Sequence, residues 1–198
     1  MTVEINTNKS YFRSHGYTPN DIIMADTGES CKLSKLPPFL RTLLVMDGTV
    51  TKALEAWFWE PVTVVPLKNA LAKLAETVEG LDTEKGDKAL QREVILQGVN
   101  SEKTFACARS TVLIDCLPPE LGEALGTGKI GIGELFRNKG LETYRELFNI
   151  NYLPNLPDGD ALLENLSGEV VSRSYQIWVN GSPAIIVTEY FPIEGFSI

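Results

Sequence analysis

Residues 172–191 of the chain, SRSYQIWVNGSPAIIVTEYF, decide the fold that the sequence predicts. The central Asn180-Gly181 pair is typical of the tight turn of a β-hairpin, and strand-forming residues flank it on both sides. Alternate side chains of a strand face opposite ways, so Glu189 lies within an otherwise apolar face. Such a carboxylate must be protonated, paired with a cation or awaiting a ligand, because burying it ionised and alone is too costly.

The stretch 88–98, KALQREVILQG, contains a candidate partner for this carboxylate. Its alternation places Arg92 on an apolar face together with three aliphatic residues, while the opposite face is mostly polar. Arg92 is therefore the predicted partner of Glu189. Two interpretations stay open, namely a buried ion pair that only fixes strand register and a pair that serves ligand binding or chemistry.

The pairing register of the last hairpin is also open at this level. A two-residue turn sets the face of Glu189 opposite Ser174 and Gln176, whereas a three-residue loop sets it opposite Arg173. Arg173 lies in a strand-like stretch, where it either faces solvent or makes a secondary contact with an anion.

The composition limits the classes of function that the chain can have. Its 198 residues, 43% of them hydrophobic, fit one domain with an ordinary core. A formal net charge of −8 argues against a nucleic-acid binder, whose affinity normally rests on a basic surface. The N-terminus lacks the apolar core of a signal peptide, and no apolar stretch approaches the roughly 20 residues that span a bilayer. We therefore expect a cytoplasmic protein, monomeric or homodimeric, without a membrane span or a nucleic-acid partner.

Few residues of the chain could bind a metal. Three cysteines without Cys-x-x-Cys spacing and one histidine, His15, exclude most zinc sites and any histidine-activated nucleophile. No metal site is expected. Cys107 and Cys116 lie in or beside a strand-like stretch and are expected to be buried and unreactive.

Hydrophobic periodicity predicts an α+β domain in which helices pack against one antiparallel sheet or over its edge. Residues 1–35 are polar with few apolar clusters and predict an N-terminal arm, followed by one domain at 36–198. Arg145 falls on the charged face of a predicted helix and is expected at the surface. The predicted helices are 39–46, 50–58, 70–80, 119–125 and one or two within 134–148. The predicted strands are 61–67, 88–98, 105–115 and the two of the last hairpin, with an irregular connection at 149–168.

Residues 126–131, GTGKIG, match the dinucleotide-binding pattern G-x-G-x-x-G. That fingerprint requires a preceding parallel strand, whereas this segment follows a predicted helix, which disfavours nucleotide binding. The segment is better interpreted as a glycine linker between two helices, whose backbone approaches a ligand closely or moves as a lid.

Five stretches, taken in order, resemble the chorismate lyase family: LLVMDGTVTKALE, LQREVILQG, ARSTVLID, GKIGIGELF and GSPAIIVTEYFP. They span about residues 37 to 192. The resemblance implies a single antiparallel sheet with helices and helical flaps that cover a buried ligand site. It also implies conversion of chorismate to 4-hydroxybenzoate and pyruvate with neither a metal nor an organic cofactor.

The resemblance also assigns roles to individual residues. The binding arginine of the family falls on Arg92 and its acidic residue on Glu189. Arg92 is expected to stabilise negative charge on the departing enolpyruvate, and Glu189 to hydrogen-bond the ring hydroxyl and assist removal of the adjacent hydrogen. Backbone amides of two flaps are expected to hold the ring carboxylate, because Val50 and Ile132 replace the methionine and leucine usual in the family. The predicted substrate-binding residues are Val50, Thr51 and Ile132.

Three other functions compete with this prediction. The first is a non-enzymatic domain of the same fold that binds an aromatic acid as an effector, as found attached to transcription regulators, although no basic helix-turn-helix segment precedes the domain. The second is a lyase that releases a differently substituted benzoate, and the third is a purely structural protein. A chorismate pyruvate-lyase would feed quinone synthesis or another pathway that consumes 4-hydroxybenzoate.

Overall fold

An antiparallel sheet of six strands forms the centre of the fold. The computed structural model describes residues 22–128 and 130–197 of the chain. Two short strands, β1 (Ile22–Met24) and β2 (Ser30–Lys32), form a separate hairpin. The main sheet contains β3 (Val62–Lys73), β4 (Lys88–Gly98), β5 (Thr104–Val112), β6 (Tyr144–Leu153), β7 (Val170–Val179) and β8 (Ser182–Pro192). Their order across the sheet is β3-β4-β5-β8-β7-β6, with every neighbouring pair antiparallel, which confirms the predicted fold class.

Four α-helices accompany the sheet. They are α1 (Pro38–Val45), α2 (Val50–Phe58), α3 (Pro119–Gly126) and α4 (Ile132–Asn138). Proline occupies the first position of both α1 and α3, where its missing N–H is tolerated because no intrahelical acceptor exists for that group. The glycine linker lies between α3 and α4, as the sequence predicts.

The two helix pairs cover opposite ends of the same face of the sheet. Strand β8 illustrates the arrangement, since Ile185 packs in the cluster formed by α3 and α4 and Phe191 in the cluster formed by α1 and α2. By alternation, Val187 and Glu189 lie on the same face between these two residues. The middle of the sheet is thus flanked by two apolar clusters.

The opposite face of the sheet is covered by connecting loops. Leu162 and Leu163 pack there against Ile95 and Cys107. Cys107 is buried, as predicted, whereas Cys116 is exposed. The prediction for Cys116 is wrong because β5 ends at Val112, and the cysteine falls in a short 3-10 turn that follows the strand.

Two helix predictions are wrong, and both fall on the edge strands of the sheet. The helix predicted at 70–80 is absent, because β3 continues to Lys73 and turns follow it. Strand β6 instead covers the end of the helix predicted within 134–148 and the start of the irregular connection predicted at 149–168. A bulge interrupts the two-residue alternation of each edge strand, which hides the strand period in the sequence. The bulges lie between Pro66 and Lys68 in β3 and between Leu147 and Asn149 in β6.

The described part of the predicted N-terminal arm packs against the domain. Ile23, Ala25 and Leu33 are buried in the same apolar cluster as α1 and α2. Residues 1–21 lie outside the described residues, so the predicted boundary at 35 stays a prediction. Within the described ranges, no helix has the length and apolar character needed to cross a membrane.

The exposure of the cysteines predicts different reactivity toward a thiol reagent. Burial raises the pKa of the Cys107 thiol to about 12, so at pH 8 this group is both protonated and shielded. We expect the thiol reagent to modify Cys116 rapidly in the native protein and to modify Cys107 only when the protein unfolds. Mass spectrometry after timed alkylation, with and without denaturant, measures both rates. Rapid native labelling of Cys107 would contradict the packing of the loop over this face.

Candidate active site

A cavity lies between the two helix pairs, over the middle of the sheet. One side of it, here called the roof, consists of residues 48–51 at the start of α2 and residues 131–134 at the start of α4. The other side, here called the floor, consists of side chains from four adjacent strands. The floor residues are Arg92, Val94 and Leu96 of β4, Ala108 and Ser110 of β5, Val187 and Glu189 of β8, and Tyr175 of β7.

All five residues predicted for the site line this cavity. Arg92 and Glu189 belong to the floor, while Val50, Thr51 and Ile132 belong to the roof. Val50 and Thr51 lie in the first turn of α2, and Ile132 is the first residue of α4. The structure therefore brings the predicted residues together, and their roles in binding and catalysis stay predictions.

Arg92 is a buried cation without a carboxylate partner among the described residues. Only 3% of the residue is exposed. Its Nε donates a hydrogen bond to Oδ1 of Asn69 at 3.2 Å, and its Nη2 donates to the carbonyl oxygen of Ile130 at 2.8 Å. Burial lowers the pKa of Arg92 to about 10, because the charge loses water and gains no balancing anion. Its remaining N–H groups are suited to an anionic ligand.

Glu189 differs from Arg92 because a buried cation balances its charge. Nε of Arg173 donates to Oε2 of Glu189 at 2.7 Å, and the hydroxyl of Tyr175 donates to Oε1 at 3.1 Å. Burial is the largest single influence and lowers the pKa of Arg173, but the charge of Glu189 and the further interactions with Glu189 and Tyr175 together outweigh it, so the net pKa is raised. Burial and, to a smaller extent, the charge of Glu189 raise the pKa of Tyr175, so its hydroxyl stays protonated and remains a hydrogen-bond donor. Glu189 is thus fixed in orientation and retains lone pairs for a ligand.

Arg173 also connects Glu189 of the floor to the turn between α1 and α2, which leads into the roof. Its Nη1 donates hydrogen bonds to the carbonyl oxygens of Leu43 and Met46, the latter at 2.6 Å. These carbonyls lie at the end of α1, where the partial negative charge of a helix terminus favours a cation. The orientation of Glu189 and the position of the α1–α2 turn therefore depend on one guanidinium group.

The predicted pairing of Arg92 with Glu189 is wrong. Strand β5 lies between their strands, and Glu189 pairs with Arg173 on the neighbouring β7. The hairpin has a two-residue turn, but β8 contains a bulge in which Ala184 is the extra residue, opposite the step from Ile177 to Trp178 on β7. The bulge gives the hairpin the register that was expected from a three-residue loop.

Small residues of β5 separate Arg92 from Glu189 on the floor. Ser110 pairs with Arg92, and Ala108 pairs with Glu189, so each charge has a small neighbour on β5. Since neighbouring strands lie about 4.8 Å apart, the backbones of Arg92 and Glu189 are separated by roughly 10 Å across the sheet. The cavity therefore has a cation on one side and a carboxylate on the other, with the small side chains of β5 between them.

Sequence reasoning missed three residues that line the cavity, Arg145, Tyr175 and Glu134, and it left Arg173 unassigned. Arg145 lines the cavity from β6, and its assignment to a surface helix is wrong because that helix is an edge strand. Burial of Arg173 excludes the solvent-facing alternative, and its position opposite Glu189 is the one expected from a three-residue loop. Alternation along β7 would have placed Arg173 and Tyr175 on the cavity face once the register was known. Glu134, in the first turn of α4, carried no signal that set it apart from a surface charge.

The chemistry of the cavity suits an organic anion. Among residues 22–128 and 130–197, no three His, Cys, Asp or Glu side chains are grouped so that they could hold a metal ion. The polar groups at the site are guanidinium, carboxylate and hydroxyl groups set among aliphatic side chains. Fold and site together define a class of α+β protein in which helical flaps and an antiparallel sheet enclose a cavity with a buried cation.

Solved structures with this fold include PhnF and its effector domain, both from Mycobacterium smegmatis. PhnF has a TM-score of 0.58 and 12% sequence identity, and the match covers 77% of this chain and 67% of PhnF. The effector domain of PhnF has a TM-score of 0.55 and 13% identity, with 74% of this chain and 90% of that domain covered. At such low identity these likenesses show the fold alone.

Sequence relatives specify the family. A family model described as Chorismate pyruvate-lyase Rv2949c-like matches residues 44–196. Chorismate pyruvate-lyase of Mycobacterium leprae is 32% identical over 162 residues, which cover 81% of this chain and 77% of that protein. The enzyme of the same name from Mycobacterium tuberculosis strain H37Rv is 32% identical over 166 residues, 81% of this chain and 82% of its own. The chain belongs to the Rv2949c-like chorismate pyruvate-lyase family, which confirms the predicted resemblance and the predicted enzyme class, a lyase.

The isolation of Arg92 predicts that it does not stabilise the ligand-free fold. We expect Arg92→Met to leave the free energy of unfolding unchanged or to raise it by up to about 2 kcal/mol, because a buried charge is exchanged for an apolar chain of similar length. Urea denaturation of the two proteins without ligand measures the difference. A loss of several kcal/mol would instead make Arg92 part of the architecture.

The Arg173–Glu189 pair predicts the opposite behaviour. Arg173→Met is expected to lower the free energy of unfolding by about 3–5 kcal/mol, because it leaves a carboxylate buried without its cation. Adding Glu189→Gln should restore part of this loss, and a double-mutant cycle in urea measures the coupling. Arg109→Met is the matched control, because Arg109 is half-exposed in its salt bridges and is expected to cost about 1 kcal/mol or less. Equal losses for the two arginines would contradict the special position of Arg173.

Proposed function

We propose that the protein is a chorismate pyruvate-lyase that converts chorismate to 4-hydroxybenzoate and pyruvate. The observation that carries the proposal is Arg92, a buried arginine without a carboxylate partner in the described chain, which lines a cavity together with an oriented carboxylate. The names of the sequence relatives support the same substrate.

The reaction makes modest demands on the protein. Chorismate carries a ring carboxylate, a ring hydroxyl opposite it, and an enolpyruvyl ether next to the hydroxyl. The ether C–O bond breaks, the oxygen leaves with the electron pair, and the hydrogen on the neighbouring hydroxyl-bearing carbon is lost. The electrons of that C–H bond complete the aromatic ring, while the enolpyruvate gains a proton and becomes pyruvate. Because aromatisation drives the reaction, orientation of the ring is the main requirement.

Arg92 is placed to hold a carboxylate of chorismate together with the flap that begins α4. Its Nη2 contacts the carbonyl of Ile130, two residues before Ile132, so the guanidinium and the predicted flap amides meet at one end of the cavity. We therefore assign the ring carboxylate to this end. The expected role of Arg92 toward the departing enolpyruvate gives way in this proposal to binding of the ring carboxylate.

Glu189 is placed to accept a hydrogen bond from the ring hydroxyl. The hydroxyl lies opposite the ring carboxylate, which matches the separation of Glu189 from Arg92 across the small residues of β5. Arg173 and Tyr175 fix both oxygens of Glu189 from behind, so that the hydroxyl and its neighbouring hydrogen are oriented. The hydrogen then leaves either with help from Glu189 or by direct passage to the enolpyruvyl methylene.

An assay of both products tests the proposal. Purified protein incubated with chorismate should release pyruvate and 4-hydroxybenzoate in equal amounts. We expect Arg92→Met and Glu189→Gln to lower kcat/KM by about 10²–10³-fold while circular dichroism shows a native fold, because each removes a group aimed at the ligand. A coupled dehydrogenase assay quantifies pyruvate, and chromatography quantifies the aromatic product.

Other outcomes of this assay correspond to the competing functions. Unchanged chorismate together with stabilising binding of 4-hydroxybenzoate would overturn the lyase in favour of an effector-binding domain. Pyruvate with a different aromatic product would identify another lyase. Delivery of 4-hydroxybenzoate to quinone synthesis or a related pathway is part of the proposal, while the cytoplasmic location and the oligomeric state stay predictions.

A further inference from the structure

Arg145 is a second arginine of the cavity that makes no salt bridge with the described residues. The salt bridges among residues 22–128 and 130–197 involve Lys52, Arg109 and Arg173 as the cations. Arg145 is half-buried and lines the same cavity as Arg92. A cavity with two such arginines is suited to a ligand with two carboxylates.

The position of Arg145 is fixed by the backbone of the roof. Its Nη1 donates hydrogen bonds to the carbonyl oxygens of Asp47 and Gly48, at 2.6 and 2.5 Å. A Cβ atom at position 133 would lie 2.9 Å from Nη2, so glycine at this position leaves room for the guanidinium. Arg145 is thus held between the starts of α2 and α4, and its other N–H groups can still bind a ligand.

Tyr175 links Arg145 to the Glu189 end of the cavity. The guanidinium carbon of Arg145 lies 5.8 Å from the centre of the Tyr175 ring, whose hydroxyl contacts Glu189. In the proposed orientation, Glu189 binds the ring hydroxyl, and the enolpyruvyl ether is on the carbon next to that hydroxyl. Of the two ways to turn the ring about this axis, the one that brings the enolpyruvyl group to the side of Tyr175 and Arg145 places its carboxylate near a second cation.

We propose that Arg145 binds the enolpyruvyl carboxylate of chorismate and is a catalytic residue. This inference rests on the proposed lyase function. As the ether bond breaks, negative charge grows on the enolpyruvate, and a guanidinium fixed beside its carboxylate stabilises that charge. Arg92 then holds the part of the substrate that becomes 4-hydroxybenzoate, and Arg145 holds the part that becomes pyruvate.

Two ligands with different numbers of carboxylates test this division. Chorismate has both carboxylates, whereas 4-hydroxybenzoate has only the ring carboxylate. We expect Arg145→Gln to lower kcat/KM for chorismate by about 10²-fold, and to change the Kd of 4-hydroxybenzoate within about a factor of three. Arg92→Met should weaken both. Arg145→Lys should recover part of the activity, because it restores a positive charge without the planar guanidinium.

Arg137→Gln is the matched control, since Arg137 is an exposed arginine of α4 that does not line the cavity. It removes the same charge from the neighbouring α4 flap and should leave kcat/KM and the Kd of 4-hydroxybenzoate unchanged. Isothermal titration with 4-hydroxybenzoate and the pyruvate assay supply the two measurements for each variant.

Three results would overturn the role of Arg145 while leaving the lyase in place. Equal weakening of chorismate and 4-hydroxybenzoate would make Arg145 a structural clamp of the roof. Unchanged turnover would remove it from the mechanism. If Glu134→Gln lowered kcat/KM as much as Arg145→Gln does, Arg145 would act through Glu134, which lines the cavity together with Glu189. Absence of both products with the unmodified protein would instead reject the lyase and this inference together.

Discussion

The ion pair between Arg173 and Glu189 is the interaction on which the site depends. A carboxylate in the middle of an apolar sheet face is tolerable only with a cation beside it, and Arg173 is even more deeply buried than the carboxylate it balances. The same guanidinium binds the end of α1 through two carbonyl groups. One side chain thus compensates a buried charge, orients it and fixes the helix above it. Arg92 has no such compensation, which leaves its charge available to a ligand.

The cavity exists because the central strands change character along their length. On one face, each strand has apolar residues at both ends, where the helix pairs pack, and at least one polar or small residue between them. Strand β5 shows this in its simplest form, with Ala108 and Ser110 between Ala106 and Val112. The apolar ends supply the burial that stabilises the fold, so the middle is released from packing and can hold groups that a core would exclude.

The alternation of side chains predicts the central strands of the fold well and its edges poorly. It isolated Arg92 and Glu189 because β4 and β8 are regular over the residues concerned and each contains one charge on an apolar face. It failed at β3, at β6 and at the pairing of β7 with β8, and β3, β6 and β8 each contain a bulge. A bulge shifts the face of every later residue, and its position depends on contacts between strands that a local pattern does not contain. Arg145, the residue most misjudged, lies on one of these strands.

The double attachment of Arg173 has a consequence for attempts to redesign the protein. Its hydrogen bonds to the α1–α2 turn mean that a change of loop length or sequence there would also rotate the carboxylate beneath it. Selectivity engineered from that side would require coordinated changes on two strands and a helix. The α4 flap is connected to Arg92 through the single carbonyl of Ile130 among the described residues, which makes it the more modular part for directed evolution of new aromatic products.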